Sequence, residues 1–229
     1  MSDVAVPLLL SLKVAGWATF LSTVLGVSVA YGLSRWRSAW SDAMDAVLTL
    51  PLVLPPTVIG YYLLVLLGRR GWLGSTLADW GIVLVFTWQG AVIAATVVAF
   101  PMVLKAARAA FESVDPALEN GAQVLGISAA GTFFRVTLPL ALPGILAGVF
   151  LAFARALGEF GATLMIAGSI PGKTQTLSIA IYEAVQAGND SVANVLVAVT
   201  SLTCVAVLWI AGRLAPDRTR TMSQRAALR

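Results

Sequence analysis

Residues Glu119–Pro139, ENGAQVLGISAAGTFFRVTLP, are the least apolar long stretch between two strongly apolar ones. Asp115 is placed to cap a short helix that Pro116 starts, since proline at the first helical position forfeits only an N–H without an intrahelical partner. Leu118, Ala122 and Leu125 are expected on one face of that helix, with Glu119, Asn120 and Gln123 elsewhere. Gly126 can take the positive φ that closes it, after which the chain climbs through Phe133 and Phe134 to Pro139. Such a helix is too short and too polar to span a bilayer. It belongs on a membrane surface, as a knob that docks into a groove of another protein or as a plain connector.

The flanking sequence makes the membrane setting firm. Of the 229 residues 59% are hydrophobic and only 11% charged, against about 25% charged in soluble domains. Five stretches are long and apolar enough to cross roughly 30 Å of hydrocarbon, near residues 8–33, 46–67, 82–104, 138–160 and 192–214. The first reads as a retained span, because no small-residue cleavage site follows a short apolar core. With the N-terminus outside, ten of the 15 basic residues lie inside: Arg35, Arg37, Lys105, Arg108, Arg135, Arg213, Arg218, Arg220, Arg225 and Arg229. Lys13, Arg69, Arg70 and Lys173 fall outside, and Arg155 within a span. The excess of inner charge favours N-out, C-in, and makes residues 105–137 a cytoplasmic loop.

Residues 161–191 are too short in apolar length for a sixth span. Thr176–Gln186, with Leu177, Ile181, Ala184 and Val185 at helical spacing, is expected to lie on or dip into the outer side. Pro51, Pro55 and Pro56 interrupt the second span and free carbonyls that must be satisfied by a neighbour or a wet cavity. Gly144 and Gly148 form a GxxxG pair in the fourth, read chiefly as a close helix contact.

Several chemistries are excluded. Histidine is absent and Cys204 is the only cysteine, so zinc, haem, disulfide and thiolate-pair chemistry lack ligands. GSIPGKT, residues 168–174, imitates a phosphate loop, but Ala167 stands where its first glycine belongs and no strand precedes it. No nucleophile sits with a base, and no carboxylates pair inside a span, so an embedded enzyme has no support. The net charge of +4 is explained by inner loops and requires no nucleic acid.

Arg155 and Glu159 share a helix face at i, i+4 and can neutralise each other. Counting along the fourth span places Arg155 about 25 Å from Leu138, near the outer side. Either the pair anchors at lipid headgroups, or its guanidinium forms a gate or cationic lip for a tetrahedral oxyanion. Thr57, Tyr61, Thr87 and Thr163 are the accompanying candidates for hydroxyl lining of a path.

The loop also resembles a known signature. Permeases of bacterial binding-protein-dependent ABC importers carry Glu-Ala-Ala, three residues, Gly, nine residues, then Ile-x-Leu-Pro. Asn120, Gly121 and Ala122 take the first places, Gly126 the glycine, and Val136, Leu138 and Pro139 the end, with residues 127–135 between. Two of the first three residues depart from the pattern, and Glu119, one place early, is the nearest acid. LPLVLPPTVIGYYLLVLLGRRGWLG and FARALGEFGATLMIAGSIPGKTQTLSIAIYEAV are similar, in turn, to the molybdate ABC transporter permease family, essentially end to end.

The resemblance implies an all-α integral membrane protein with five transmembrane helices and a cytoplasmic coupling helix between spans three and four, the type I ABC importer (MetI-like) permease fold. It implies a homodimer around one path, two cytoplasmic ATP-binding subunits gripping Asp115–Gly126, an extracytoplasmic molybdate-binding protein, surrounding lipid and no cofactor. ATP chemistry then belongs to the partner. Tungstate is indistinguishable on these grounds, and sulfate or thiosulfate is the alternative cargo, since permeases for those anions have similar loops and Gly-Glu-aromatic-Gly stretches. A stand-alone channel would have no use for the docking knob.

Overall fold

The computed structural model describes residues 2–36 and 38–214. Arg37 and the basic tail with Arg218, Arg220, Arg225 and Arg229 lie outside the described residues. Among those described, the chain is a bundle of helices: α1 Ser2–Arg35, α2 Ala39–Thr49, α3 Pro56–Leu67, α4 Trp72–Asp79, α5 Trp88–Glu112, α6 Pro116–Val124, α7 Ala129–Thr132, α8 Leu138–Leu157, α9 Gly161–Ala167, α10 Leu177–Gln186 and α11 Asp190–Leu214.

Helix α5 is the axis of the bundle. Its Ala91, Ala94, Ala95, Ala99 and Ala107 are buried, and these small side chains let other backbones come close. Gly26 of α1 lies against Val103, where an added Cβ would sit 3.0 Å from the valine side chain. Gly144 and Gly148 of α8 lie against Ala110 and Ala106, at 2.7 and 2.4 Å by the same measure. The glycine pair is therefore a packing device, as its spacing suggests.

Four described segments are long and apolar enough to cross a membrane unbroken: Val4–Arg35, Trp88–Glu112, Ala129–Leu157 and Asp190–Val207. The second expected span, 46–67, is not one helix. The segments Ala39–Leu52 and Pro56–Leu67 meet at 105°. Pro55 and Pro56 cannot donate to the preceding turn, so the α2 ladder ends in a single 3₁₀ turn, Leu50–Leu52, and α3 begins anew at Pro56. At about 18 Å, α3 alone is too short to cross.

Two other boundaries move. The third span, expected at 82–104, is helical from Trp88 to Glu112. Phe86 has φ +60 and gives its N–H to the Ile166 carbonyl (3.0 Å), and Thr87 Oγ1 accepts the Gly90 N–H (3.2 Å) as the helix cap. The fourth, expected to reach residue 160, stops at Leu157. Its foot is a π-helical turn, Phe133–Thr137, in which the Leu138 N–H reaches back to the Phe133 carbonyl. Pro139 supplies the cause, because its ring crowds the carbonyl four residues back and brings no N–H.

Residues 161–191 form α9 and α10. In α10 Leu177, Ala180 and Ala184 are buried against α11 and α1, whereas Val185 is exposed. Ser11 Oγ accepts the Leu177 N–H at 2.8 Å, tying this segment to α1. The Lys13 Nζ lies 3.6 Å over the Trp88 ring.

Candidate functional site

Two places gather functional side chains: the α6 end of the bundle, and a pair of helix breaks deeper in it.

At α6, Asp115 Oδ1 accepts the Ala117 N–H (2.8 Å) and Pro116 occupies the first turn. Gly126 has φ +82, the Ile127 N–H reaches the Ala122 carbonyl (3.1 Å), and the Gly126 N–H reaches Gln123 (2.9 Å). This is the paired closure that a left-handed glycine permits. The expected single face of Leu118, Ala122 and Leu125 divides. Leu118, Val124 and Leu125 are exposed, Leu125 by 83%, with Asn120 and Gly121 beside them, whereas Ala122 is buried. At about 100° per residue Ala122 stands about 40° from Leu118 and about 60° from Glu119, at the border of the two rows, and packing turns that border inward.

Glu119 is turned inward and only 6% exposed. Its Oε2 accepts from Arg35 Nη1 at 2.7 Å, and its Oε1 accepts from Arg35 Nη2 and from Thr137 Oγ1. The Arg35 guanidinium beside it, with help from Thr137, holds the Glu119 carboxyl below its usual range against the effect of burial. Arg35 also lies 5.2 Å over the Tyr31 ring, and Tyr31 meets Phe133 edge-on at 4.5 Å. The sequence reading took Arg35 only as a topological charge and Glu119 as the acid nearest the loop signature. The missed signal was the lone acid among the buried positions of a short amphipathic helix.

A second network fastens α2 to α5. Asp45 is buried and pairs with Lys105 and with Arg108 (3.1 Å), which also meets Glu112 at 2.8 Å. Arg108 and Lys105, counted in the sequence only for topology, are thus structural ties.

The other site is where α8 stops and α3 starts. Arg155 Nη1 lies 2.6 Å from Glu159 Oε2, an ion pair without the alignment of a hydrogen bond. Glu159 is 2% exposed, and its Oε1 accepts the Ala162 N–H (2.8 Å), which caps α9. Pro56, Thr57, Arg155, Gly158, Glu159, Phe160 and Gly161 line a cavity of about 290 Å³. A larger hollow, about 470 Å³, runs along Leu12–Phe20 of α1 and is nearly all apolar.

The α8–α5 register places Arg155 along the bundle. Since Gly148 meets Ala106, Arg155 lies roughly 10 Å further along and opposite the middle of α5. Arg155 keeps 29% of its side chain exposed there. A partly exposed guanidinium among apolar helices calls for water or a partner and not lipid tails. Of the four hydroxyl candidates only Thr57 joins the cavity. Tyr61 is exposed one turn on, Thr87 is engaged as the α5 cap, and Thr163 is 1% exposed inside α9. In the 168–174 loop, the Lys173 and Thr174 N–H groups both bond the Ile170 carbonyl (3.0 Å), so they are not free to cradle phosphate.

The chain belongs to the binding-protein-dependent transport system inner membrane component family, whose model matches residues 22–220. It is thus a multi-pass permease component of the inner membrane. Among individual relatives, it is 45% identical to the molybdenum transport system permease protein ModB of Escherichia coli (strain K12), over 92% of this chain and 94% of that one. It is 49% identical to the ModB of Haemophilus influenzae over 77% and 78%. A probable sulfate transport system permease protein of Chlorella vulgaris is 33% identical, over 88% and 76%. The fold matches the MetNI methionine ABC transporter in an inward-facing form, with TM-score 0.72 at 17% identity, over 93% and 94% of the two chains. The MetI-like, type I importer architecture expected from the loop is the architecture present.

Proposed function

We propose that the chain is the permease subunit of an ATP-driven importer of molybdate, with tungstate as an equivalent cargo. The observation that carries this is near-full-length identity of 45% to a molybdenum permease. The 33% identity to a sulfate permease supports that cargo less. In this reading two copies enclose a path, a binding protein delivers the oxyanion from outside, and two cytoplasmic ATPase subunits supply the energy. The chain itself carries no catalysis.

The outward row Leu118, Val124 and Leu125 of α6 suits an apolar cleft of the ATPase, with Asp115, Asn120, Gly121 and Gly126 at its margins. Pro139 passes its movement into α8. The N-terminus and the 173 loop face outward, and residue 120 faces the cytoplasm. Arg155 faces the path, and Glu159 neutralises it between transport events, so that a dianion is attracted without being held. Thr57 and Tyr61 offer hydroxyls on the same side.

The test is uptake into vesicles containing the permease, its ATPase and its binding protein. Molybdate uptake that excess sulfate leaves unchanged supports the cargo, and uptake of sulfate in preference to molybdate refutes it. Leu125→Asp is expected to abolish ATPase pull-down while leaving membrane insertion intact. In a Cys204→Ser background, a cysteine at 120 should label only from the cytoplasm and one at 173 only from outside.

A further inference from the structure

Among the described residues, Glu119 is the one carboxylate at which three separate segments of this chain meet. Its own helix, α6, buries only two residues, Glu119 and Ala122. Its partner Arg35 ends α1, 84 positions earlier in the chain. Its third contact, Thr137, is the last residue of the π-helical turn on which α8 stands. Between these groups lies a small cavity of about 200 Å³, lined by Tyr31, Arg35, Glu119, Gln123, Thr132 and Thr137. Thr132 Oγ1 is buried there without a hydrogen-bond partner. The surroundings are therefore not packed solid, and beside the Tyr31–Phe133 aromatic pair this carboxylate is what stands behind α6.

We propose that Glu119 is the joint through which displacement of α6 is delivered at once to α1, by Arg35, and to the foot of α8, by Thr137. The proposal rests on the reading that α6 docks the ATPase, and it assigns Glu119, Arg35 and Thr137 as positioning residues for transport. A two-pronged guanidinium–carboxylate contact resists rotation as well as separation, which a single hydrogen bond does not. The π turn is the compliant element. A turn that already carries one extra residue can slide its register without breaking the helix above it, and such turns recur at functional sites. Eighteen residues beyond Thr137 on that helix stands Arg155, so a shift at the foot reaches the ion pair at its far end.

The experiment uses the full complex in proteoliposomes with loaded binding protein, and measures oxyanion imported per ATP hydrolysed together with ATPase pull-down. Glu119→Gln and Arg35→Gln are expected to keep pull-down and hydrolysis while import per ATP falls about tenfold. Arg35→Lys, which retains the charge without the fork, should lie between. Parental import per ATP in both glutamine variants overturns the proposal. So does a parallel loss of assembly, hydrolysis and import at unchanged ratio, the mark of a merely structural pair. Should the glutamine variants fail to assemble, Thr137→Val decides: a lowered ratio supports the joint and a parental ratio refutes it. Leu125→Asp runs beside them, and its normal pull-down would sink the docking reading itself. If the parental complex carries sulfate and not molybdate, the ratio is taken with sulfate, and only the cargo assignment fails.

Discussion

The α6 end of the bundle and its deeper half hold their elements together by different means. Near α6, beside an apolar cluster around Leu104, Phe111 and Ile145, ion pairs tie separate elements: Glu119 to Arg35, and Asp45 to Lys105 and Arg108. Around the two helix breaks, the described residues join α3 to α9 by backbone contact instead. A Cβ added to Gly60 would lie 2.7 Å from Met165 Cβ and 2.8 Å from Ala162 Cα. The ion pair there, Arg155–Glu159, stays within one helix end. Ion pairs at a wet boundary can re-form at shifted distances, since water stabilises the charges while they part. A backbone contact at van der Waals distance cannot slide without separating. The comparison assigns adjustment to the α6 end, and a stepwise opening to the breaks.

The largest expected effect is at the deeper ion pair. Arg155→Gln leaves Glu159 buried and uncompensated, at a cost of about 3–5 kcal/mol by analogy with severed buried pairs. The double variant Arg155→Gln/Glu159→Gln removes both charges and should unfold at a higher temperature than Arg155→Gln in detergent. It should nevertheless transport poorly, because the guanidinium is gone. A double variant no more stable than the single one would mean that Glu159 is not held by Arg155. Parental uptake in Arg155→Gln would reduce the pair to anchorage.

Next comes the glycine contact. Gly60→Leu forces α3 away from α9 and should cost about 1–3 kcal/mol, an overpacking penalty, with early dissociation of the helices. Gly121→Leu on α6 meets nothing within 4 Å and should leave the melting temperature unchanged. Equal losses from the two would erase the contrast between the halves.

Gly126 sharpens the α6 side. A Cβ there meets no atom within 4 Å, so the penalty is conformational: φ +82 costs a side-chain-bearing residue about 1 kcal/mol. Gly126→Leu should still insert and melt nearly normally, yet lose ATPase pull-down or hydrolyse ATP without import. Normal pull-down together with normal uptake would make α6 a connector.

What the sequence disclosed follows the range of the interactions concerned. Capping by Asp115, the start at Pro116 and the left-handed Gly126 are local, and were legible residue by residue. Apolar length disclosed the four unbroken apolar segments, and i, i+4 spacing disclosed Arg155–Glu159. The Pro51–Pro56 breakers marked where the second span yields, but not the 105° turn, because that angle depends on what α3 packs against. Contacts remote in the chain were hidden. Nothing near Glu119 announces Arg35, and which part of α5 Arg155 stands opposite depends on the Gly148–Ala106 register, which counting along one helix does not supply.

The smallest effect is expected from pH, and its sign tests the character of the Glu119 joint. The carboxyl is held below its ordinary value of 4.5, chiefly by Arg35. A depressed carboxylate contributes stability that is fully present above the unfolded value and is lost as pH falls through the folded one. Arg35 remains charged throughout, and Thr137 and Gln123 do not titrate. From pH 8 to 5.5, then, protection of the α6 amides against hydrogen exchange, once corrected for the intrinsic rate, should not change. Below about 4.5 it should begin to fall, and Glu119→Gln should already show the reduced protection at neutral pH. A loosening of α6 near pH 6–7 that Glu119→Gln abolishes would show a carboxyl raised by burial and not held down by its guanidinium. The joint would then be a hydrogen-bonded acid, too weak at one prong to carry displacement from α6 into both α1 and α8.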